Sequence, residues 1–176
     1  MMYQKIAFAL FQRLIDAASN EIARFTIEQQ LSVDYKADRT AVTQCDRHLG
    51  ELLARIAAET GLPVVHEEDE STFENIRSGN YIIIDPIDGT RAYIRHVEGT
   101  LKRRLKEPDA SPVVDPSLES ETGEHDYAML VGIVIGGKPL FGCSFNYVTG
   151  EKIFTASDGT FEREGRERKG LTGKDV

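Results

Sequence analysis

The sequence has no tryptophan and only two cysteines. Cys45 and Cys143 lie far apart without Cys-x-x-Cys spacing, which argues against a disulfide framework or a thiolate zinc site and for buried free thiols in a reducing compartment. Positive charge is also short: 21 Lys and Arg stand against 29 Asp and Glu, and the net charge of −8 sets a repulsive mean field against nucleic acid. No apolar run reaches membrane-spanning length, and the N-terminus lacks the charged, apolar and small-residue regions of a signal peptide. The cytoplasm is the default expectation, with neither nucleic-acid nor membrane partner. A small anion is not excluded, because bound metal ions would supply local positive charge.

What is present is a chain of 176 residues, 40% hydrophobic and 28% charged, enough for one globular domain with its own core. It is organised around Tyr81-Ile82-Ile83-Ile84-Asp85-Pro86-Ile87-Asp88-Gly89-Thr90. The β-branched run predicts a buried strand that ends at Asp85-Pro86 in a tight turn, from which a helix starts. Asp85 and Asp88, with the Ile87 carbonyl, can converge on Mg²⁺ or Mn²⁺ through oxygen, and a helix start at Gly89-Thr90 favours a phosphate. The plainer reading of the same residues is an Asp-Pro turn and a helix cap.

Apolar residues from Ile6 to Phe25 recur at three- and four-residue spacing, predicting an amphipathic helix over 3–30, either continuous or broken near Asn20. Thr43 is the expected N-cap of a second helix running to Thr60 and stopped by Gly61, and Asp46 falls in its first turn, where it favours the helix dipole. After a short strand, Glu67-Glu68-Asp69-Glu70 is either a solvated acidic loop or a ligand source. Residues 97–126 are rich in charge and Pro and read as an inserted loop. Its basic piece, Lys102 to Lys106, either contacts a second phosphate or, the preferred reading, forms a solvated surface helix. From Tyr127 to Ala156 the pattern is an antiparallel meander, and 161–176 reads as a polar, frayed tail.

Asp-Pro-Ile-Asp-Gly-Thr after a hydrophobic strand resembles the signature of the inositol monophosphatase superfamily, the Mg²⁺-dependent, lithium-sensitive phosphatases. Two further stretches are similar to its motifs in the same order: Lys36-x-Asp38-x-x-x-Val42-Thr43-x-x-Asp46 and the Glu67-Glu68 pair. His66 departs from the small residue usual before that pair and is given no catalytic role. The run from Pro63 to Glu68 and Arg91-Ala92-Tyr93-Ile94 look closest to the 3′(2′),5′-bisphosphate nucleotidase branch.

The resemblance implies an α+β fold, the N-terminal half of a layered αβαβα sugar-phosphatase architecture, with an antiparallel sheet packed against two long helices. It implies one metal- and phosphate-binding domain over 1–160. The Trp-Asp motif of a C-terminal α/β domain, and the Asp it adds to a metal site, have no counterpart here. Two or three Mg²⁺ ions, with Mn²⁺ as a substitute, would be held by Glu67, Asp85, the Ile87 carbonyl and Asp88. Asp88, Gly89 and Thr90 would bind phosphate, and Asp46, Thr90 and Glu67 would form the catalytic set for metal-activated water attack on a phosphate monoester, with lithium competing for a metal position. Expected substrates are a nucleotide bisphosphate or, as alternatives, inositol phosphate or histidinol phosphate, and a homodimer is the protein partner envisaged. The alternative of another class is an inactive single domain that binds only metal or a partner.

Overall fold

The structure is a computed structural model and describes residues 2–28, 32–35, 41–106, 126–156 and 160–165. The first helix, α1 (Met2–Glu28), runs unbroken through Asn20, the continuous of the two alternatives. Asn20 is exposed, and the buried stripe Leu10, Leu14, Ala18, Ile22, Phe25 continues past it on the opposite face, so packing outweighs the small propensity cost of one Asn. Strands β1 (Val33–Tyr35) and β2 (Ala41–Thr43) form a small antiparallel ribbon leading into α2 (Gln44–Ala58). Thr43 caps α2 as expected, in a reciprocal capping box with Asp46. Lys36 and Asp38, part of the motif that ends at Asp46, lie outside the described residues.

The main sheet has six strands in the order β3 (Val64–His66), β4 (Tyr81–Asp88), β5 (Ala128–Ile135), β6 (Lys138–Asn146), β7 (Lys152–Ala156) and β8 (Phe161–Glu164). It is mixed rather than wholly antiparallel, because β3 and β4 run parallel with Val64 opposite Ile82 and His66 opposite Ile84. The crossover between them is a 3-10 helix over Glu70–Ser78, ended by Gly79 at φ 70°. Strands β5 to β7 form the expected meander, with Gly136 and Gly137, both at positive φ, making the first turn. Strand β8 corrects the reading of 161–176 as frayed throughout: Phe161–Glu164 pairs with Lys152–Thr155, and Arg163 bonds Glu151.

Helix α3 (Thr90–Lys106) reaches into the segment read as an inserted loop from 97. The reason is burial: Ala92, Tyr93, His96 and Val97 form one inward stripe, and His96 and Tyr93 pack edge-on against Tyr127. The basic piece 102–106 is thus the end of this helix, while 107–125 lie outside the described residues.

One face of the main sheet packs on α1 and α2, and Leu14, Leu49, Leu53, Ile82, Ile84 and Met129 are fully buried between them. The other face leaves Ile83 and Leu130 partly exposed (42% and 37%). No helix among the described residues is long and apolar enough to cross a membrane.

Gly50 of α2 faces the buried His66 at the end of β3, and a Cβ at position 50 would stand 2.9 Å from His66 Nδ1. The glycine opens the space that an imidazole needs here, where a shorter side chain would need none. Gly50→Ala is expected to cost ~1–3 kcal/mol by overpacking, and most of that cost should vanish when His66 is replaced by Ser. A double-mutant cycle in urea checks this: additive costs would mean that the two residues do not share the space.

Candidate metal and phosphate site

The site forms where β3, β4 and the starts of α2 and α3 meet. Strand β4 does not turn at Asp85 as expected but continues to Asp88 through a bulge, with Asp85 opposite Leu130 and Asp88 opposite Ala128. Its neighbour β3 ends opposite Ile84, so beyond that point the β3-side edge of β4 is unpaired and Pro86, which has no N–H, costs no ladder bond on that side. The bulge bends the strand and re-aims its side chains. Ile87 N–H donates to Asp85 Oδ1 (3.1 Å), and Tyr147 Oη donates to the Pro86 carbonyl (2.9 Å).

Gly89 follows at φ 90°, and a Cβ there would lie 3.2 Å from the Asp126 carbonyl, so the turn requires glycine. Its carbonyl accepts from Ala92 and Tyr93 N–H and opens α3, whose first N–H groups have no acceptor within the helix. An anion at this point would meet those donors and the positive end of the helix dipole.

Asp85 is half-buried, and its carboxyl is pushed up to about 7, first by burial, then by the charges of Glu67 and Asp88. It shares a hydrogen bond with Glu67, which is brought alongside by the parallel β3–β4 pairing and by its own N–H donating to the Ile84 carbonyl (3.2 Å). Asp88 acts on Asp85 through charge and is itself exposed. Among the described residues no group of three or more His, Cys, Asp or Glu side chains stands ready-closed around a metal position. The donors nonetheless fit a hard divalent cation, being oxygen only and crowded enough to hold a proton in its place; the Ile87 carbonyl, with two lone pairs, is a further oxygen.

Asp46 is fully buried at the first turn of α2. Its Oδ2 accepts from Thr43 N–H (2.7 Å) and from the Thr43 hydroxyl, while its Oδ1 accepts from Thr90 Oγ1 (3.0 Å). The Ile87 carbonyl lies 3.2 Å from the same hydroxyl as an alternative acceptor. Burial raises the Asp46 carboxyl above the ordinary carboxylate range, and the bonds from Thr43 and Thr90 hold it back.

His66, next to Glu67, is buried with its own protonation disfavoured by burial, and its Nδ1 has no hydrogen-bond partner among the described residues. Sequence reasoning missed Tyr147 as a support of the Pro86 carbonyl, since a tyrosine at the end of a meander strand carries no signal of a bond to a strand 61 residues away.

The Inositol monophosphatase family profile matches residues 3–172. Among solved structures, the chain is similar to the extragenic suppressor protein suhB from Bartonella henselae (17% identity, TM-score 0.65, covering 92% of this chain and 53% of that one). It is similar to an IMPase/NADP phosphatase complexed with Mg²⁺ and phosphate (16% identity, TM-score 0.64, 95% and 53%). A third is a Staphylococcal inositol monophosphatase-1 in a LiCl-soaked inhibitory complex (17% identity, TM-score 0.62, 91% and 50%). At these identities the likeness shows the fold, and the chain spans about half the length of these structures. A search of curated proteins finds no match. The profile match over nearly the whole chain and the shared fold agree: this chain belongs to the inositol monophosphatase family.

Proposed function

We propose that this chain carries the metal and phosphate half of a Mg²⁺-dependent phosphomonoesterase. The observation that carries the reading is the bond from Thr90 to the buried Asp46 beside the crowded pair Asp85 and Glu67. Two structures of a similar IMPase/NADP phosphatase support it, one complexed with Mg²⁺ and phosphate and one with NADP and Ca²⁺.

Glu67, Asp85, the Ile87 carbonyl and Asp88 would hold two or three Mg²⁺ ions, for which Mn²⁺ can substitute. Such ions supply Lewis acidity and neutralise charge on phosphoryl oxygens. The N–H groups of Gly89 and Thr90 hold a phosphate oxygen at the start of α3, with Asp88 at the rim. The Thr90 hydroxyl accepts a hydrogen bond from the attacking water while donating to Asp46, and the water's proton passes along this line to the carboxylate. A carboxyl raised by burial is a better base than an exposed one, which suits that role. Glu67 would accept the water's second hydrogen. The preferred substrate is a nucleotide 3′(2′),5′-bisphosphate, with inositol phosphate and histidinol phosphate as alternatives.

A second reading, that the chain by itself is a noncatalytic module that binds metal or a partner, is favoured by the partly exposed Ile83 and Leu130. Phosphate release from adenosine 3′,5′-bisphosphate, inositol 1-phosphate and histidinol phosphate separates the two. The phosphatase reading expects Mg²⁺-dependent, lithium-inhibited turnover, lost in Asp88→Asn; folded protein inert on all three would leave the module.

Within the phosphatase reading, Thr90→Val and Asp46→Asn should each lower kcat by roughly 10²–10⁴, the usual worth of a positioned acid–base group. KM should change far less. A loss confined to KM would sink the relay.

Asp85 also makes a stability prediction. Its carboxyl is raised from the ordinary ~3.9 to about 7, so the folded state keeps a proton that the unfolded chain has released. That stabilisation is present at low pH and is lost as pH rises through about 7. Without divalent cations, Asp85→Asn should therefore raise Tm by several degrees at pH 8 and little at pH 5, and should abolish the rise that Mg²⁺ gives the parent protein. A variant that melts lower at pH 8 would show that crowding is not what Asp85 suffers.

A further inference from the structure

We propose that Tyr147 is a positioning residue for the divalent cation: acting through the Pro86–Ile87 peptide, its hydroxyl sets the orientation of the Asp85 carboxyl. This rests on the reading above that the carboxylate cluster holds Mg²⁺. Between Asp85 and Asp88 the register with β5 shifts, and Pro86 and Ile87 fall in the interval without a registered partner. There the ladder is locally disrupted, and the plane of the peptide they share depends on other bonds. Tyr147 Oη donates to the Pro86 carbonyl (2.9 Å), and Ile87 N–H, across the same peptide bond, donates to Asp85 Oδ1 (3.1 Å). Because a peptide unit is planar, the group bonded at its carbonyl end fixes where its N–H points. A hydrogen bond accepted by the carbonyl also polarises the amide and strengthens the bond that its N–H gives.

The hydroxyl is itself rigidly mounted. Tyr147 lies in the turn between β6 and β7, where Asn146 Oδ1 accepts from Val148 and Thr149 N–H (2.9 Å each) and the Asn146 carbonyl accepts from Gly150 N–H (2.9 Å). Its own N–H donates to the Tyr127 carbonyl (3.0 Å), and its ring stacks on Tyr127 (centroids 5.5 Å apart) and meets Phe145 edge-on (5.4 Å). A phenylalanine would make the same ring contacts, so packing accounts for the ring and leaves the hydroxyl to be explained. Pro86 is fully buried, and its carbonyl without this donor would either go unpaired or turn to find another, taking Ile87 N–H with it. The Asp85 carboxyl, which also bonds Glu67, would then lose the donor that holds its Oδ1. Tyr147 thus acts on the cation's ligand through a peptide bond and takes no part in the chemistry.

The test uses Tyr147→Phe, which keeps the ring contacts and so the fold. Tyr93→Phe is the comparison, because it removes a buried hydroxyl of the same aromatic cluster whose bond is to Cys45 and not to β4. In metal-free protein, hydrogen exchange at the Ile87 amide should quicken in Tyr147→Phe by roughly threefold to tenfold relative to the Ile82 amide of the same strand, the worth of one neutral hydrogen bond. The ratio should hold in Tyr93→Phe. Affinity for Mn²⁺ alone, followed by loss of the free-ion EPR signal, should fall by a similar factor in Tyr147→Phe and hold in Tyr93→Phe. An unchanged Ile87-to-Ile82 ratio overturns the proposal, as does Mn²⁺ affinity that is unaffected or that falls equally in the two variants. If the parent binds no Mn²⁺, the metal reading fails, and the amide result decides separately whether Tyr147 orients Asp85: a changed ratio supports it, an unchanged one overturns it.

Discussion

Asp85, Glu67 and Asp88 are held at one end of the sheet against their mutual repulsion, and the rest of the domain supplies the rigidity that this requires. The repulsion is visible in Asp85, whose carboxyl keeps a proton to about pH 7. Left to relax, β3 and the end of β4 would separate. They do not, because β4 lies at the centre of the core, with Ile82, Ile84 and Ile87 buried against α1, α2 and β5. Each such side chain contributes about 1.5–3 kcal/mol of burial, enough together to hold an arrangement that is unfavourable without a cation. The fold keeps Glu67 alongside Asp85 despite the charge of Asp88 beside them.

The bulge and the glycine turn do the aiming. Between Asp85 and Asp88 the strand gains a residue over its partner, and the Pro86 carbonyl exposed by that change is bonded by Tyr147, itself stacked on Tyr127. Gly89 then takes a backbone conformation closed to other residues and brings Thr90 back over the Ile87 carbonyl. The acidic end of β4 thus passes directly into the start of α3, so the carboxylates of Asp85 and Asp88 and the first N–H groups of the helix share one short piece of backbone.

The parts of this design legible in the sequence are those written locally. The hydrophobic spacing of α1 and α2, the Thr43 cap and the string from Tyr81 to Thr90 each declare themselves within a few residues, and they order the whole first half of the domain. What was left open or misjudged depends on distant partners. Asn20 does not break α1, because the residues that decide are on its opposite face. Helix α3 runs past His96 because Tyr127, far along the chain, offers a surface to pack on, and β8 forms because β7 presents an edge. The space that Gly50 leaves for His66 joins a helix to a strand and could not be read from either alone.

Asp46 shows why the plain and the chemical readings of a residue need not compete. As a helix-capping carboxylate it would gain ~0.3–1 kcal/mol at an exposed first turn, and one oxygen would suffice. Here the carboxylate is wholly buried, which costs more than a dipole interaction returns unless both oxygens are satisfied. The capping box occupies Oδ2 and thereby fixes the plane of the group, and the remaining oxygen is directed at a hydroxyl 44 residues away. The cap is the means by which the sequence orients Oδ1, and the bond to Thr90 is what the orientation is for.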